Sequence, residues 1–500
     1  MQKTGVLSKE KKTNRPLVLA SVILAMFMAA VEATIVSTAM PSIVGELGGF
    51  QLFSWVFSSF LLMQAVTVPI YGKLADLYGR KPVLTAGIIL FLVGSVLCGL
   101  ATSMKWMIIF RFIQGIGAGA VLPIATTIVG DIYTMEERAK IQGYLSSVWG
   151  ISSIIGPLLG GIFVEHLHWA WVFWINVPVG IVTIAGLWLF LHEEVEKNKH
   201  PVDVWGSGLL FVSVSALMLV LTQGGVAWSW VSAPVILLVL LFIFSGTLFI
   251  YAERKATEPM MPFHIWKNRL IALSNLASLT TGAVMIGIAS YLPAHVQGVM
   301  GYSPTVAGFA LAMMSIGWPL AATIASKLML KLGFRMTAGI GGIFLVIGSL
   351  FFVFLQSDAG PVWAGAGSFL IGAGMGLSAT TFIVSIQSSV DWNTRGVATA
   401  SNMFMRILGN TVGIAFLGGI LNSRLVSYLA GRTDDAHSAL DAAHRLLNPA
   451  AEQQLPLEFA QLIREGLQFA LHHVYWVVLF LSLVSLAIIV FLPRGETKGL

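Results

Sequence analysis

The chain has 500 residues, of which 56% are apolar and only 10% charged, against roughly 25% charged in an ordinary soluble domain. That balance excludes a soluble protein and places the chain in a lipid bilayer. The net charge of +6 does not point to nucleic acid, because no RNA- or DNA-reading motif occurs and the basic residues sit in short loops between apolar runs.

Those runs last about 20 residues, enough for a helix to cross a hydrocarbon core about 30 Å thick, and they lack the alternation of a membrane barrel. The fold class is therefore an all-α polytopic membrane protein. Six segments are expected at 17 to 39, 52 to 72, 82 to 101, 105 to 130, 140 to 164 and 169 to 191. After HEEVEKNKHPVD come 204 to 223 and 230 to 251. After ERKATEPMMPFHIWKNR come 270 to 297, 304 to 326, 336 to 356, 361 to 386, 396 to 421 and 472 to 492, fourteen in all. The first follows a basic stretch, as a signal peptide would, but it is too long and has no clear small-residue cleavage site, so it reads as an uncleaved helix. The Lys/Arg bias sets orientation. The N-terminal tail and the loops with Lys73, Arg80, Lys81, Arg138, Lys140, Arg254, Lys255, Lys327, Lys331 and Arg335 all fall on one side, the expected cytoplasmic face of the cell membrane. Both termini then lie inside, and the long stretch 422 to 471 lies outside.

An internal repeat organises these segments. QGIGAG (114 to 119) aligns with IGAGMG (371 to 376), pairing Gly115 with Gly372 and Gly117 with Gly374 at an offset of 257. The same offset pairs Arg138 with Arg395, Gly156 with Gly413 and Gly161 with Gly418. GKLADLYGRK (72 to 81) aligns with SKLMLKLGFR (326 to 335) at an offset of 254, pairing Gly79 with Gly333 and leaving Leu330 where Asp76 would fall. The expected layout is a six-helix bundle in 1 to 200, an inserted helix pair in 201 to 255 and a second six-helix bundle in 256 to 500, related by a pseudo-two-fold axis.

Charge inside the segments is rare. VEATIVSTAMP places Glu32 within the first one, where a carboxylate costs roughly 2.5 to 3.5 kcal/mol and usually faces a partner or a watery cavity. Arg111 is the lone charge of RFIQGIGAGA, and Arg406 is a second intramembrane cation. Cys98 stands alone, which excludes an intramolecular disulfide and a multi-cysteine metal site. His166 and His168, like His472 and His473, fall at membrane boundaries without supporting ligand spacing. No G-x-x-x-x-G-K-[ST] loop occurs, so ATP hydrolysis is not expected and the driving force is read as an ion gradient.

With these residues in place, the chain resembles, along nearly its whole length, the fourteen-helix drug:proton antiporter branch of the major facilitator superfamily. GKLADLYGRK resembles the superfamily's signature loop between helices 2 and 3, RFIQGIGAGA its helix 4 motif, GISSIIGPLLGG the helix 5 motif associated with exporters, and EATIVSTAMP the helix 1 motif of this branch, where aspartate is the commoner acid. HWAWVFWINVP resembles the helix 6 motif, with Ala170 where arginine is usual. Arg406 occupies a position resembling a family arginine. The resemblance implies a transporter rather than an enzyme, protons as coupling ion with no bound cofactor, and a small-molecule substrate handled by a monomer.

Each motif carries two readings. GKLADLYGRK is either basic punctuation of a tight loop or a latch, in which Asp76 faces the N-terminus of a helix from the other bundle and Arg80 pairs with Asp131, as the resemblance implies. Arg111 either snorkels outward, being roughly 7 Å from its helix end at 1.5 Å per residue, or reaches Glu32, roughly 12 Å from its own. Gly156, Gly160 and Gly161 allow close helix packing, to which Pro157 adds a bend. Trp55 and Trp149 are either lipid-facing or core residues, or part of an aromatic site for organic cations. Glu32 and Arg111 form either a static tie between helices or a proton site, since desolvation favours the neutral acid and a nearby guanidinium the charged one.

The leading expectation is a proton-coupled antiporter that exports amphipathic, cationic drugs or toxic compounds by alternating access. Export of an endogenous metabolite, siderophore or lipid is the alternative. A passive facilitator fits the duplicated bundles and intramembrane acid less well, and a sensor lacks an attached soluble domain.

Overall fold

The computed structural model describes residues 13–47, 53–193, 204–224, 228–255, 265–302, 304–357, 359–429, 432 and 457–493. In lipid every backbone amide must be satisfied within its own segment, which selects helices, and all long elements among the described residues are helical. They are α1 (Arg15–Leu47), α2 (Phe53–Tyr78), α3 (Arg80–Gly99), α4 (Met104–Ile132), α5 (Met135–His166), α6 (Trp171–Trp174), α7 (Asn176–Phe190), α8 (Val204–Gln223), α9 (Ala233–Lys255), α10 (Arg269–Ala294), α11 (Pro304–Val353), α12 (Gly360–Ser388), α13 (Trp392–Leu429) and α14 (Leu457–Val490). By length and composition, eleven helices among the described residues can cross a membrane, and the chain is a multi-pass membrane protein. The short α6 and α7 form one span, with Ile175 between them still in the helical region. A π-helical turn, His295–Val299, continues α10.

Several helix ends depart from the sequence expectation. α1 runs on to Leu47 rather than ending at 39, because Val36, Ala39, Met40 and Ile43 extend its apolar face against Met104, Met107, Trp169 and Phe173. At the other end of the chain the stretch 422 to 471 is not wholly a loop. α13 continues to Leu429, and α14 begins at Leu457. Their ends pack Leu425 and Leu429 against Ile463 and Ala470, while Glu458, Arg464 and Glu465 lower the hydropathy that would have signalled a helix there. Residues 433 to 456 lie outside the described residues, as does the expected bundle boundary at 200.

The repeat appears in the backbone. Gly79 and Gly333, paired from sequence, both adopt positive φ (92° and 77°) with extended ψ (155° and 172°), a conformation that favours glycine. Gly79 separates α2 from α3, and Gly333 breaks α11 into two legs. Three further glycine pairs also match. A Cβ on Gly115 would strike the Phe60 backbone of α2, and one on Gly372 the Met314 backbone in the first leg of α11. One on Gly117 would strike α3 at Phe91, and one on Gly374 the second leg at Gly341. Gly156 backs on Thr34 of α1, and Gly413 on Ala283 of α10.

One core joins Val22, Met26, Leu84, Phe91, Val121 and Leu145 of the first half of the chain. A second joins Val284, Leu292, Leu345, Phe352, Ile371 and Tyr475 of the second half. The halves meet where α2 packs on α13 and α5 on α11. On the α2–α13 seam, Leu210, Val214 and Met218 of α8 cover Leu62, Val66, Met403 and Phe404. α9 rests on α8 and exposes Leu237, Leu240 and Phe244, as a lipid-facing helix does.

Candidate functional site

Two clusters of buried ion pairs stand out among the described residues. The first surrounds Glu32, near the midpoint of α1 and 0% exposed. Nη1 of Arg111 on α4 donates to one carboxylate oxygen, and Nδ2 of Asn176 on α7 donates to the other at 2.7 Å. The guanidinium is otherwise satisfied by Gln114 Oε1 (2.7 Å) and the Val56 carbonyl (3.2 Å), and it stacks 4.1 Å above the Phe60 ring. Gln114 in turn donates to Ser95 of α3 (2.7 Å), and Asn176 also reaches that hydroxyl at 3.3 Å. Arg111 is 1% exposed, so it points inward rather than to the headgroups.

Five helices therefore converge on one ion pair. Together the pair carries no net charge, and surrounding donors and acceptors offset much of the desolvation that isolated charges would suffer. Adding a proton to Glu32 removes the partner of Arg111 and changes what ties α1 to α4 and α7. Ser95, Gln114 and Asn176 are not marked by charge in the sequence. The available signals are that Gln114 lies three residues after Arg111, a neighbouring helical position, and that Asn176 falls within HWAWVFWINVP. Buried Cys98, with Sγ 3.8 Å from Gln114 Oε1, packs at the edge of this network.

The second centre lies where the halves close. Asp76 accepts the backbone N–H groups of Gly396 (3.0 Å) and Val397 (2.8 Å) in the first turns of α13, and Arg80 Nη2 at 2.8 Å. An acid at this place meets the positive end of the helix dipole. Gly396 permits the approach, since a Cβ there would strike the Asp76 carboxylate. Arg80 also donates to Asp131 of α4 (2.9 Å) and to the Trp392 carbonyl (2.8 Å), with its guanidinium 3.8 Å over the Trp392 ring. Arg395 completes the cluster, donating to the other Asp131 oxygen (2.7 Å) and to the Gly130 carbonyl (3.0 Å). Its role in this cluster was not anticipated, although the repeat had singled it out. Leu330, in the position corresponding to Asp76, is exposed.

Glu193 supports the same loop from behind. Gly79 has no side chain to cap α3, and the Glu193 carboxylate accepts the amides of Arg80 (2.8 Å) and Lys81 (2.9 Å) instead. Lys81 reciprocates, donating to the carbonyls of Leu191 (2.8 Å) and Trp188 (3.1 Å) at the end of α7. From sequence, Glu193 belonged to a polar linker.

Around the Asp76 end the halves are in close contact. A Cβ on Gly72 would collide with Ala400, one on Gly130 with Gln387, one on Gly143 with Thr323 and one on Gly150 with Ser315. The antiparallel register of the last two pairs would set Gly161 beside residue 305 and Gly308 beside 158. A Cβ on either of those glycines meets nothing within 4 Å among the described residues, and the side chains of 305 and of 157, next to 158, lie outside them. Gly156 does pack α5 on α1, where Thr34 Oγ1 donates to the Ser152 carbonyl at 3.0 Å. Gly160 is buried. Pro157 lies within the continuous α5, with its side chain outside the described residues.

Arg406 is half-buried on α13, 5.9 Å from the Trp318 ring of α11 and without a carboxylate partner among the described residues. Trp149 is exposed on α5 and Trp55 half-buried. His168 meets Glu46 at 3.2 Å, and His472 accepts from Trp476 at 3.0 Å. The described residues contain no group of three potential ligands that could hold a metal ion.

Comparison with known proteins gives the chain's family. Residues 22–414 match the profile of the family described as Major Facilitator Superfamily. The chain is 34% identical to the Multidrug transporter protein MdtP of Bacillus subtilis, over 97% of this chain and 94% of that one. It is also 34% identical to Multidrug resistance protein 3 of the same organism, over 98% and 97%. Among solved structures, the proton:xylose symporter XylE superposes with a TM-score of 0.65 at 14% identity, covering 97% of both chains. At that identity the likeness concerns the fold.

Proposed function

The chain belongs to the major facilitator superfamily, and from that membership we propose that it is a proton-coupled antiporter exporting amphipathic drugs or toxic compounds, cations among them, by alternating access. Both relatives above are named for multidrug transport or resistance, which supports export as the direction. Splitting α11 at Gly333 and adding α5 and α8 to the eleven candidate spans gives fourteen crossings. They divide into two six-helix bundles with α8 and α9 inserted. The loops at the Asp76 end carry most of the basic residues, so that end is cytoplasmic, as are both termini, and the membrane is the cell membrane. The transporter works as a monomer without a bound cofactor.

The observation that carries the reading is the buried Glu32–Arg111 pair, a titratable site separate from the Asp76–Arg80–Asp131–Arg395 cluster that joins the halves. Proton exchange at the first and opening at the second are the two operations an antiporter must alternate. The deciding experiment is counterflow in proteoliposomes under an imposed pH gradient, over a panel of dyes and metabolites. Concentrative uptake that collapses with the gradient supports the reading; equilibration that ignores the gradient would make the protein a facilitator.

A further inference from the structure

The intramembrane charges of the two halves are matched unequally. Glu32 and Arg111 neutralise one another, whereas Arg406 has neither a carboxylate nor a hydrogen-bond acceptor among the described residues. Its position on α13 shows where it points. Asn402 donates to Ser278 of α10 at 2.8 Å, and Gly409 and Gly413 back on Leu279 and Ala283, so that side of α13 is occupied by α10. Met403 and Phe404 face α2 and α8. Thr399 accepts from Gln387, whose amide also reaches the Thr126 carbonyl of α4, so its side of α13 fronts the other half of the chain. Arg406 follows Thr399 by seven residues, about two turns on the same face.

From that face the guanidinium extends towards Trp318 on α11, between Ser315 and Thr323, the residues that Gly150 and Gly143 of α5 back on. Arg406 therefore stands, half-buried, at the level where α11 of its own half meets α5 of the other. The acid that would offset it, Glu32, is fully buried, with both oxygens engaged elsewhere. An unmatched guanidinium beside an indole ring fits a ligand with an anionic group joined to an aromatic body, since a planar fork of donors suits a carboxylate or sulfonate.

We propose that Arg406 and Trp318 form a substrate subsite for the carboxylate or sulfonate of aromatic amphipaths, zwitterions included. The proposal rests on the export reading and deepens it by naming a charge the cargo carries. Purely cationic cargo gains nothing at this subsite.

A matched dye pair tests it. Tetramethylrhodamine carries a free carboxylate, and its methyl ester lacks that anion. The purified full-length protein is titrated with each dye by fluorescence polarisation, and uptake of each is measured in proteoliposomes. Arg406→Gln is expected to weaken the carboxylate dye about 10- to 100-fold, the range for one charge-assisted hydrogen-bonded contact, and to leave the ester within about twofold. Arg406→Lys keeps a point charge and part of the preference, and it reads the same comparison if Arg406→Gln fails to insert. Equal loss for both dyes, no change for either, or a wild-type protein that binds neither overturns the subsite. Arg406-dependent binding of the carboxylate dye without gradient-driven transport would instead refute the export reading and leave the subsite standing. Gradient-driven transport of both dyes unaffected by Arg406→Gln would do the reverse.

Discussion

Arg395 and Asp131 lie 264 residues apart in the chain and meet at 2.7 Å, with Arg395 taking one carboxylate oxygen and Arg80 the other. Asp131 is thus held by one arginine from its own half and one from the opposite half. Residues that share a partner act as a unit, and their coupling energies run about 0.5 to 3 kcal/mol. Arg80→Ala combined with Asp131→Ala should therefore cost less than the sum of the single changes, by an amount in that range. Transport rates and thermal stability, measured around the full cycle, check this; strict additivity would remove the pairing from the mechanism.

Asp76→Asn keeps the shape of the side chain at the start of α13 but removes its charge. One oxygen can still accept a backbone amide, while the interaction with Arg80 and most of the attraction to the helix end are lost, the latter worth up to about 2 kcal/mol. Insertion at wild-type levels with transport reduced at least about tenfold is the expected result, since about 1.4 kcal/mol in a rate-limiting conformational equilibrium is tenfold. Quantitative blotting and counterflow on the same preparation separate these effects. A fully active Asp76→Asn protein would reduce the loop to basic punctuation.

Gly72→Val addresses closure directly. A side chain at 72 would run into Ala400 and the Gly396 backbone, and overpacking at a tight contact costs about 1 to 3 kcal/mol. Separation of α2 from α13 relieves the clash, so the variant should favour the form open at the Asp76 end. A cysteine at Thr399, buried in the closed form, should then react with a membrane-impermeant maleimide supplied from that side. Unchanged labelling would show that the seam stays closed despite the added methyl groups.

The inserted pair gives a negative expectation. α8 seats Leu210, Val214 and Met218 on the α2–α13 seam, and α9 turns mainly to lipid. Cysteines along either helix should show no substrate-protectable labelling from water. Protection by transported dye at two or more adjacent turns would place the pair on the transport path.

Much of this architecture is legible in the sequence because its strongest signals are charges in apolar surroundings and glycines at a fixed offset. Gly79 and Gly333 align by letter and share a backbone conformation. Asp76, Arg80 and Asp131 stand out as charges at segment ends and are brought together. Uncharged partners stand out less. Ser95, Gln114 and Asn176 cost little in hydropathy and acquire meaning only when α3, α4 and α7 surround α1. Glu193 looks like linker charge until α7 ends beside the start of α3. The early start of α14 is hidden because an amphipathic end carrying Glu458, Arg464 and Glu465 has the hydropathy of a loop.

Glu32→Gln provides the sharpest test of proton coupling. Glutamine matches glutamate in size and offers a carbonyl oxygen to Arg111, but it cannot titrate. It replaces the oxygen that accepts from Asn176 with an NH2 group, or the one facing Arg111 if the amide is reversed, so one donor loses its acceptor. Arg111 also loses its counter-charge, and breaking a buried pair on one side costs about 3 to 5 kcal/mol when nothing compensates. Gln114 and the Val56 carbonyl remain as acceptors for the guanidinium, so the variant should insert and fold with a lowered melting temperature. If Glu32 only ties α1 to α4, efflux should decline in step with that loss of stability and keep its dependence on the pH gradient. If Glu32 carries the exchanged proton, concentrative efflux under a pH gradient disappears, while substrate-for-substrate exchange across the membrane persists at a measurable rate. Glu32→Asp, which titrates but is one methylene short of Arg111 and Asn176, should recover part of the gradient-driven activity. Concentrative, gradient-dependent efflux by Glu32→Gln would place the coupling acid elsewhere.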